Sequence, residues 1–452
     1  MPNTFAYLVL FSWPVFVLWL LQRYSVKKAI LITTVLSVLL LPSKLLVDLP
    51  LLPPLDKYTV NTLSIVLFLT GKNLRLFQSG ILTKLLLGYF LVLVVSALLN
   101  ADPINIGGMS LPGITLYDAF SGTIRMSLIM MPLLLGAAVF NKVEDNESTF
   151  KYLVFSCLLY SLLMLFEVRM SPQLHYWVYG YLPTEFLQQM RGDGFRPIVF
   201  IGHGLPLAFW FSTCLLAAMT LHKNKINAIS IPPLVVVLYM LVVLFLCKTW
   251  AAMIYALLGV LLVYNFSPKK QIKVLLILIF FVLVYPFSKI MGIFPGKELI
   301  SLVADFNPDR AQSLAFRFDN EDILLDHSMK KPFFGWSIWG RNRVYDALGN
   351  DISVTDGKWI LELGKNGIVG FFIYYSILIF PIIKAGKALN FVSNKAHARY
   401  IATLAIILTV SIVDSVPNTN MGSIHLLLAG ALLGQSEGII KRNRIQKGRI
   451  NG

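Results

Sequence analysis

The chain has 452 residues, 56% hydrophobic and only 14% charged. Soluble domains carry about 25% charged residues, so a water-soluble globular protein is excluded. The net charge of +16 comes from basic residues gathered in short loops between apolar runs, which is the pattern of membrane topology rather than of nucleic-acid binding.

Apolar runs approaching the ~20 residues that cross a bilayer as helix recur along the chain, without the short alternating segments of a membrane barrel. The sequence predicts an all-α polytopic membrane protein of about thirteen transmembrane helices, within a range of 11–14. They cover 5–22, 29–47, 59–71, 84–99, 116–140, 151–167, 198–220, 230–247, 249–265, 274–291, 358–382, 399–413 and 422–437. The third is short and reads as broken or tilted. No basic region precedes the first run and no small-residue cleavage site follows it, so that helix is expected to be retained. The whole chain, 1–452, forms one membrane domain. Its single large hydrophilic insertion, 292–357, lies between the tenth and eleventh helices. Cys157, Cys214 and Cys247 fall in apolar runs without metal or redox spacing and read as packing residues.

Every second loop is basic: 23–28, 71–84, 222–227, 267–273, 384–399 and the tail 441–449. The loop 141–150 falls on the same side but is mixed in sign. On the opposite side, 100–115 and 414–421 contain no lysine or arginine. The positive-inside rule then puts the N-terminus outside and the C-terminus in the cytoplasm, in agreement with an odd number of spans. Two outer segments are long, from Glu167 to about Pro197 and 292–357. HYWVYGY (175–181) reads as an interfacial aromatic segment. WSIWGRNRVY (336–345) fits the same role or stacking on sugar rings. No internal repeat points to an inverted-repeat transporter, and no GxxxxGK[ST] sequence marks an ATP-driven motor.

The outer face carries the chemistry. RGDGFRPIVFIGH (191–203) places Arg191 and Arg196 at the mouth of the seventh span, and arginine forks suit phosphate oxygens. The bland reading is a loop salt bridge to Asp193. His203 reads more readily as a packing residue than as a catalyst. Arg125 lies inside the fifth span, where a lone arginine costs ~2.5–3.5 kcal/mol; it is either a site residue, a partner of Asp118, or snorkelling. Lys248, between two spans with almost no loop, either snorkels or points into the outer cavity. Arg317 lies on an amphipathic helix within FRFDNEDILLDHSMKKPFFGWS (316–337), with Glu321 at i+4 as an ordinary partner, and PFFG after it makes a turn. Asp356 precedes the eleventh span as a candidate base or as an N-cap. Asp414 is a further carboxylate at the outer end of the twelfth. HExxH, GxSxG and DxD sequences are absent, so no metal site and no cofactor are expected.

Together these segments resemble the O-antigen ligase and polysaccharide polymerase superfamily of bacterial inner-membrane proteins. RGDGFRPIVFIGHGLPLA (191–208) is similar to the family's arginine–glycine–aromatic–proline entry into a mid-chain span. FRFDNEDILLDHSMKKPFFGWS resembles its external-loop arginine, helix and proline–aromatic–glycine turn. TDGKWILELGKNGIVGFF (355–372) resembles its return helix with a Gly-hydrophobic-Gly step. The resemblance implies a GT-C-like, metal-independent and inverting glycosyltransferase that uses undecaprenyl-pyrophosphate-linked oligosaccharide at the outer face of the inner membrane. It implies a flippase and a chain-length regulator as partners. Arg191 or Arg196 matches the first pyrophosphate-binding arginine, and Arg317 the loop arginine. Asp356 stands where ligases carry histidine, with Gly357 at the asparagine. Lys248, in CKTW, stands near the family's serine–arginine. The departure at Asp356 favours a polymerase over a ligase, and a lipid-linked sugar transporter is a further alternative. As a polymerase, the leaving diphosphate would fall to Arg191, Arg196 and Arg317, supported by Arg125 and Lys248. The base would be Asp356, with Asp414 or Asp193 as substitutes.

Overall fold

A computed structural model of the chain describes residues 1–48, 53–69, 76, 79–192 and 194–450, the last four by backbone only. Asp193 and half of the basic loop 71–84 lie outside the described residues. In chain order the helices are α1 (Thr4–Arg23), α2 (Val26–Leu40), α3 (Lys57–Leu69), α4 (Gly80–Leu98), α5 (Leu116–Val139), α6 (Asp145–Met170), α7 (Leu174–Tyr179), α8 (Gly204–Lys223), α9 (Pro233–Leu246), α10 (Trp250–Asn265), α11 (Pro268–Ile290), α12 (Gly296–Ala304), α13 (Pro308–Ser328), α14 (Lys358–Ala388), α15 (Lys395–Asp414) and α16 (Ser423–Ile450). A 3-10 turn (Phe186–Gln189) and two small antiparallel hairpins, β1–β2 (Ile104–Ile106, Met109–Leu111) and β3–β4 (Met190–Arg191, Gly194–Phe195), complete the described secondary-structure elements.

Each of the thirteen predicted apolar runs overlaps one helix, the run 59–71 within its described residues. Nine of the described helices are long and apolar enough to cross a membrane: α1, α4, α5, α6, α8, α11, α14, α15 and α16. The other four, α2, α3, α9 and α10, have 13–16 residues. The chain is an all-α polytopic membrane protein. Backbone polar groups in hydrocarbon must be satisfied within the segment, and helices do this locally. Caps set several boundaries. Asn3 starts α1 by accepting from Ala6 N at 3.0 Å. Thr115 and Asp118 form a reciprocal capping box at α5. Asn307 accepts from Arg310 N at 3.1 Å to open α13.

Apolar side chains at nearly every position surround α8, which is the most enclosed span; α6, α9, α10 and α15 pack around it. The basic loops meet at one end. Lys27 pairs with Asp145 at 2.6 Å, and Arg399 Nη1 donates to Lys223 O at 3.1 Å and Asn224 Oδ1 at 2.9 Å. The opposite end, carrying 292–357, is the loop end.

Several boundaries differ from the predicted ones, and three departures bear on the loop end. The seventh span begins at Gly204, not 198. Residues 198–203 form a turn in which buried Glu167 accepts from Ile198 N and Val199 N, both at 2.8 Å. α2 ends at Leu40, seven residues short of the predicted span, where the chain turns towards Pro42. The eleventh span, α14, runs 31 residues but is interrupted at Gly367 (φ 65, ψ −172). The PFFG turn inserts there. Ile368 N donates to Pro332 O at 2.7 Å, Trp336 N to Gly364 O at 2.8 Å and Ser337 N to Lys365 O at 2.9 Å. Non-helical backbone at membrane depth is tolerated when protein supplies its hydrogen bonds, and here the external segment supplies them. A Cβ at 367 would lie 2.3 Å from Phe333 C and O, so only glycine fits.

The aromatic segment 175–181 is divided. Tyr176 and Trp177 are exposed. His175 is fully buried, accepting from Ser43 N at 3.2 Å, and Tyr181 Oη donates to Ser43 O at 2.6 Å. In 336–345, Trp336 stacks on His327 at 4.4 Å while Trp339 is exposed and donates to Asp118 Oδ1 at 3.0 Å. α12, unanticipated from the sequence, buries none of its residues, and Leu302 within it and Phe306 just after it are exposed.

Candidate active site

The hairpin β3–β4 holds Arg191 and Arg196 against the α9–α10 junction. That junction turns at Lys248, whose φ of 51 is left-handed. Two hydrogen bonds fasten the pieces. Arg196 Nη2 donates to Lys248 O at 3.4 Å, and Lys248 Nζ donates to Arg191 O at 2.8 Å. Glycine makes room for this: a Cβ at 204 would overlap Arg196 Cδ at 2.0 Å.

Beside the hairpin is a cavity of about 310 Å3. Arg191, Lys248 and Arg310 form its polar wall, and Leu244, Phe245, Trp250 and Met253 its apolar wall. None of Arg191, Arg196, Lys248 and Arg310 has an ion pair among the described residues. Arg191 Nε and Arg196 Nε are buried without hydrogen-bond partners there. Burial, followed by the neighbouring charges of Arg191 and Arg310, lowers the pKa of the Arg196 guanidinium to about 10. Burial and Arg310 shift Arg191 in the same direction. Cations crowded together with unmet N–H donors form an anion site in chemical terms. With one apolar wall, the matching ligand is an amphiphile with an anionic head.

Arg310 was missed by the sequence reading, which began this helix near Phe316. It lies seven residues before Arg317 on α13, so both project from one face, roughly 10 Å apart along the axis. That i,i+7 spacing was the available signal.

Arg317 Nε lies 3.7 Å from Asp356 Oδ2, and its Nη1 donates to Pro417 O at 3.0 Å. Glu321, the i+4 partner read from the sequence, is engaged elsewhere: it pairs with Lys289 at 3.2 Å and accepts from Trp359 Nε1 at 3.1 Å. Asp356 is not the N-cap, a position held by Gly357. Its carboxylate is 43% exposed, free enough to meet a substrate hydroxyl. Asp414 is buried behind this pair within reach of Arg317's charge. Its Oδ1 accepts from Asn418 Nδ2 at 2.8 Å, while Oδ2 stands beside Tyr255 and Asn420 without a well-formed hydrogen bond.

The remaining predicted residues part from this group. His203 is the N-cap of α8, its Nδ1 accepting from Leu205 N at 3.1 Å. Arg125 does not line the cavity. Its ionic partner is Asp56 at 3.9 Å, not Asp118, whose carboxylate is taken by Thr115 and Trp339. Two further carboxylates of the external segment, Asp346 and Asp351, are occupied within their own turn, by Asn350 and by Arg343.

Comparison with protein-family models gives no match for this chain, and comparison with curated proteins gives none either.

Proposed function

We propose that the protein is a membrane-embedded glycosyltransferase of the GT-C type that polymerises lipid-linked oligosaccharide repeat units. The reading includes a topology of thirteen spans in a bacterial inner membrane, with the N-terminus and the loop end periplasmic and the C-terminus cytoplasmic. The observation that carries it is the convergence of Arg191, Lys248 and Arg310 on one half-apolar cavity, with Arg317 and Asp356 paired next to it. An undecaprenyl diphosphate has the same division into charged head and apolar tail.

In the proposed reaction the acceptor sugar hydroxyl attacks the anomeric carbon of the donor glycan. The new C–O bond forms as the bond to the diphosphate breaks, and the electron pair leaves on the diphosphate oxygen. Arg191, Arg310 and Arg317 stabilise that growing charge, a role in which fixed cations in a poorly solvated site are effective. Asp356 accepts the hydroxyl proton. Its pairing with Arg317 aligns it, and attack opposite the diphosphate inverts the anomeric centre. Arg196 positions the hairpin through Lys248.

The test is glycan analysis of a deletion strain. Single undecaprenyl-linked repeats accumulating at the outer face, with long polymer missing, are the expected result. Repeats trapped at the cytoplasmic face would replace this reading with a transporter. Normal-length polymer left on its lipid carrier would replace it with a ligase.

A further inference from the structure

One face of α12 is left uncovered by the described residues. The helix packs on α13, yet none of its own residues is buried. At about 100° per residue, its side chains sort into three sectors. Gly296, Ile300, Val303 and Ala304 are half-buried and share the sector towards α13, where a Cβ on Gly296 would touch Phe318 at 3.5 Å. Lys297, Glu298, Ser301 and, just past the last turn, Asp305 are exposed and share a second sector. Lys297 and Glu298 border a cleft of about 530 Å3 whose other side carries Asp319, Asp322 and Asp326 of α13. Leu299 and Leu302 are exposed in the third sector, and Phe306, 84% exposed, continues their row one turn on. A helix surrounded by water has no physical reason to separate its exposed apolar side chains from its exposed polar ones. A helix at a lipid–water boundary does.

The chain delivers α12 to that boundary. α11 has 23 residues, about 35 Å of helix, enough to cross the ~30 Å hydrocarbon core. At its loop end the backbone turns at Gly292 (φ 66) and folds back: Ile293 N and Phe294 N donate to Ser288 O at 2.9 and 3.1 Å. The Phe294 ring meets Tyr285 of α11 at 5.0 Å and Phe318 of α13 at 5.2 Å. α12 therefore starts level with the last two turns of the span. Apolar surface continues across the join. Phe280, Phe281 and Val284 are exposed on α11, Ile290 at its end, and Met291 and Ile293 after it. The uncovered face of α12 is thus the extension of a surface that already faces lipid.

We propose that α12 is an interfacial anchor whose Leu299, Leu302 and Phe306 face is immersed in the bilayer at the loop end, and that it holds Arg310 at headgroup depth. The link to α13 is short and tied down. Phe306 N and Asn307 N both donate to Val303 O, at 3.2 and 2.9 Å, and Asn307 caps the turn that carries Arg310. Arg310 lines the cavity beside Arg191, whose apolar wall includes the exposed rings of Phe245 and Trp250. A diphosphate whose isoprenoid tail stays in the bilayer has to be met at the level of the headgroups. An immersed α12 fixes the height of one cation that meets it. The immersion stands apart from the transferase reading; its consequence for a lipid-linked diphosphate rests on that reading.

The test is nitroxide accessibility on the full-length protein in phosphatidylcholine–phosphatidylglycerol nanodiscs. Leu302→Cys, Phe306→Cys, Ser301→Cys and Asp305→Cys are spin-labelled one at a time. The native Cys157, Cys214 and Cys247 are buried, and the wild type measures their background. Molecular oxygen partitions into lipid, and a nickel chelate stays in water. The ratio of oxygen to nickel accessibility should be several-fold higher at 302 and 306 than at 301 and 305. Equal ratios at all four positions would place α12 in water and overturn the anchor. Exclusion of both reagents from 302 and 306 would show a protein surface covering that face, and would overturn it equally. The consequence for Arg310 is read on the Leu302→Asp, Phe306→Asp double variant, whose changes lie on exposed side chains. Its affinity for farnesyl diphosphate should fall several-fold while its affinity for inorganic diphosphate stays at the wild-type value. Both affinities unchanged, or both lost together, would overturn the depth role and leave the immersion standing. A wild type that binds neither probe would remove the donor assignment, not the anchor.

Discussion

Arg310 and Arg317 project from one face of α13, two turns apart, and join the cavity beside Arg191 to the Arg317–Asp356 pair at 3.7 Å. A single rigid helix thus sets the distance between the cation that would hold the diphosphate and the pair that would act on the acceptor. Arg310→Gln is expected to cut polymer synthesis on the order of 100-fold, the usual cost of removing one preorganised donor from a developing charge. Its unfolding midpoint should stay near that of the wild type. Wild-type polymer yield from Arg310→Gln in membranes would remove this residue from the mechanism.

Asp356→Asn keeps the size of the side chain and removes the base. Turnover should fall by roughly 100-fold or more, within the range general-base catalysis contributes, while farnesyl diphosphate binding is retained. Asp414→Asn in parallel decides between the two carboxylates: if it loses turnover and Asp356→Asn does not, the proton goes to the buried residue.

Gly367→Ala tests the insertion of the PFFG turn into α14. Its left-handed backbone alone costs a residue with a side chain ~1–3 kcal/mol, and Phe333 blocks the added methyl. The unfolding midpoint should drop by several degrees, and proteolysis should cut within 329–345. An unchanged midpoint and protease pattern would mean that the external segment is not anchored there.

A cavity lined by cations without ion partners among the described residues should be stabilised by the anion it binds. Farnesyl diphosphate is expected to raise the unfolding midpoint of the wild type, as any ligand specific to the folded state does. The shift should shrink as ionic strength rises, because the partly exposed charges are screened. Replacing both Arg191 and Arg310 with Gln should abolish most of it. A shift of equal size from uncharged farnesol would show that the apolar wall alone accounts for binding.

The membrane helices were legible because their cause is local. Apolar runs in lipid must close their own backbone hydrogen bonds, so the apolar runs are helical, and nine of the described helices are long and apolar enough to cross a membrane. Caps such as Asn3, Thr115 and Asn307 are likewise written within a few residues. Arg191, Arg196, Arg317, Lys248 and Asp356 were legible as types, because charge at the edge of an apolar run is rare and costly. Their partners were not. Glu321 was the natural i+4 companion of Arg317, yet Lys289, Tyr285 and Trp359 hold it. Asp118 looked like the companion of Arg125, yet Asp56 is. Only the tertiary structure decided that Arg310 faces the cavity of Arg191 and that PFFG fills the break at Gly367. Each depends on segments far apart in the chain meeting at one end of the bundle, and side-chain partners there are chosen by packing rather than by sequence spacing.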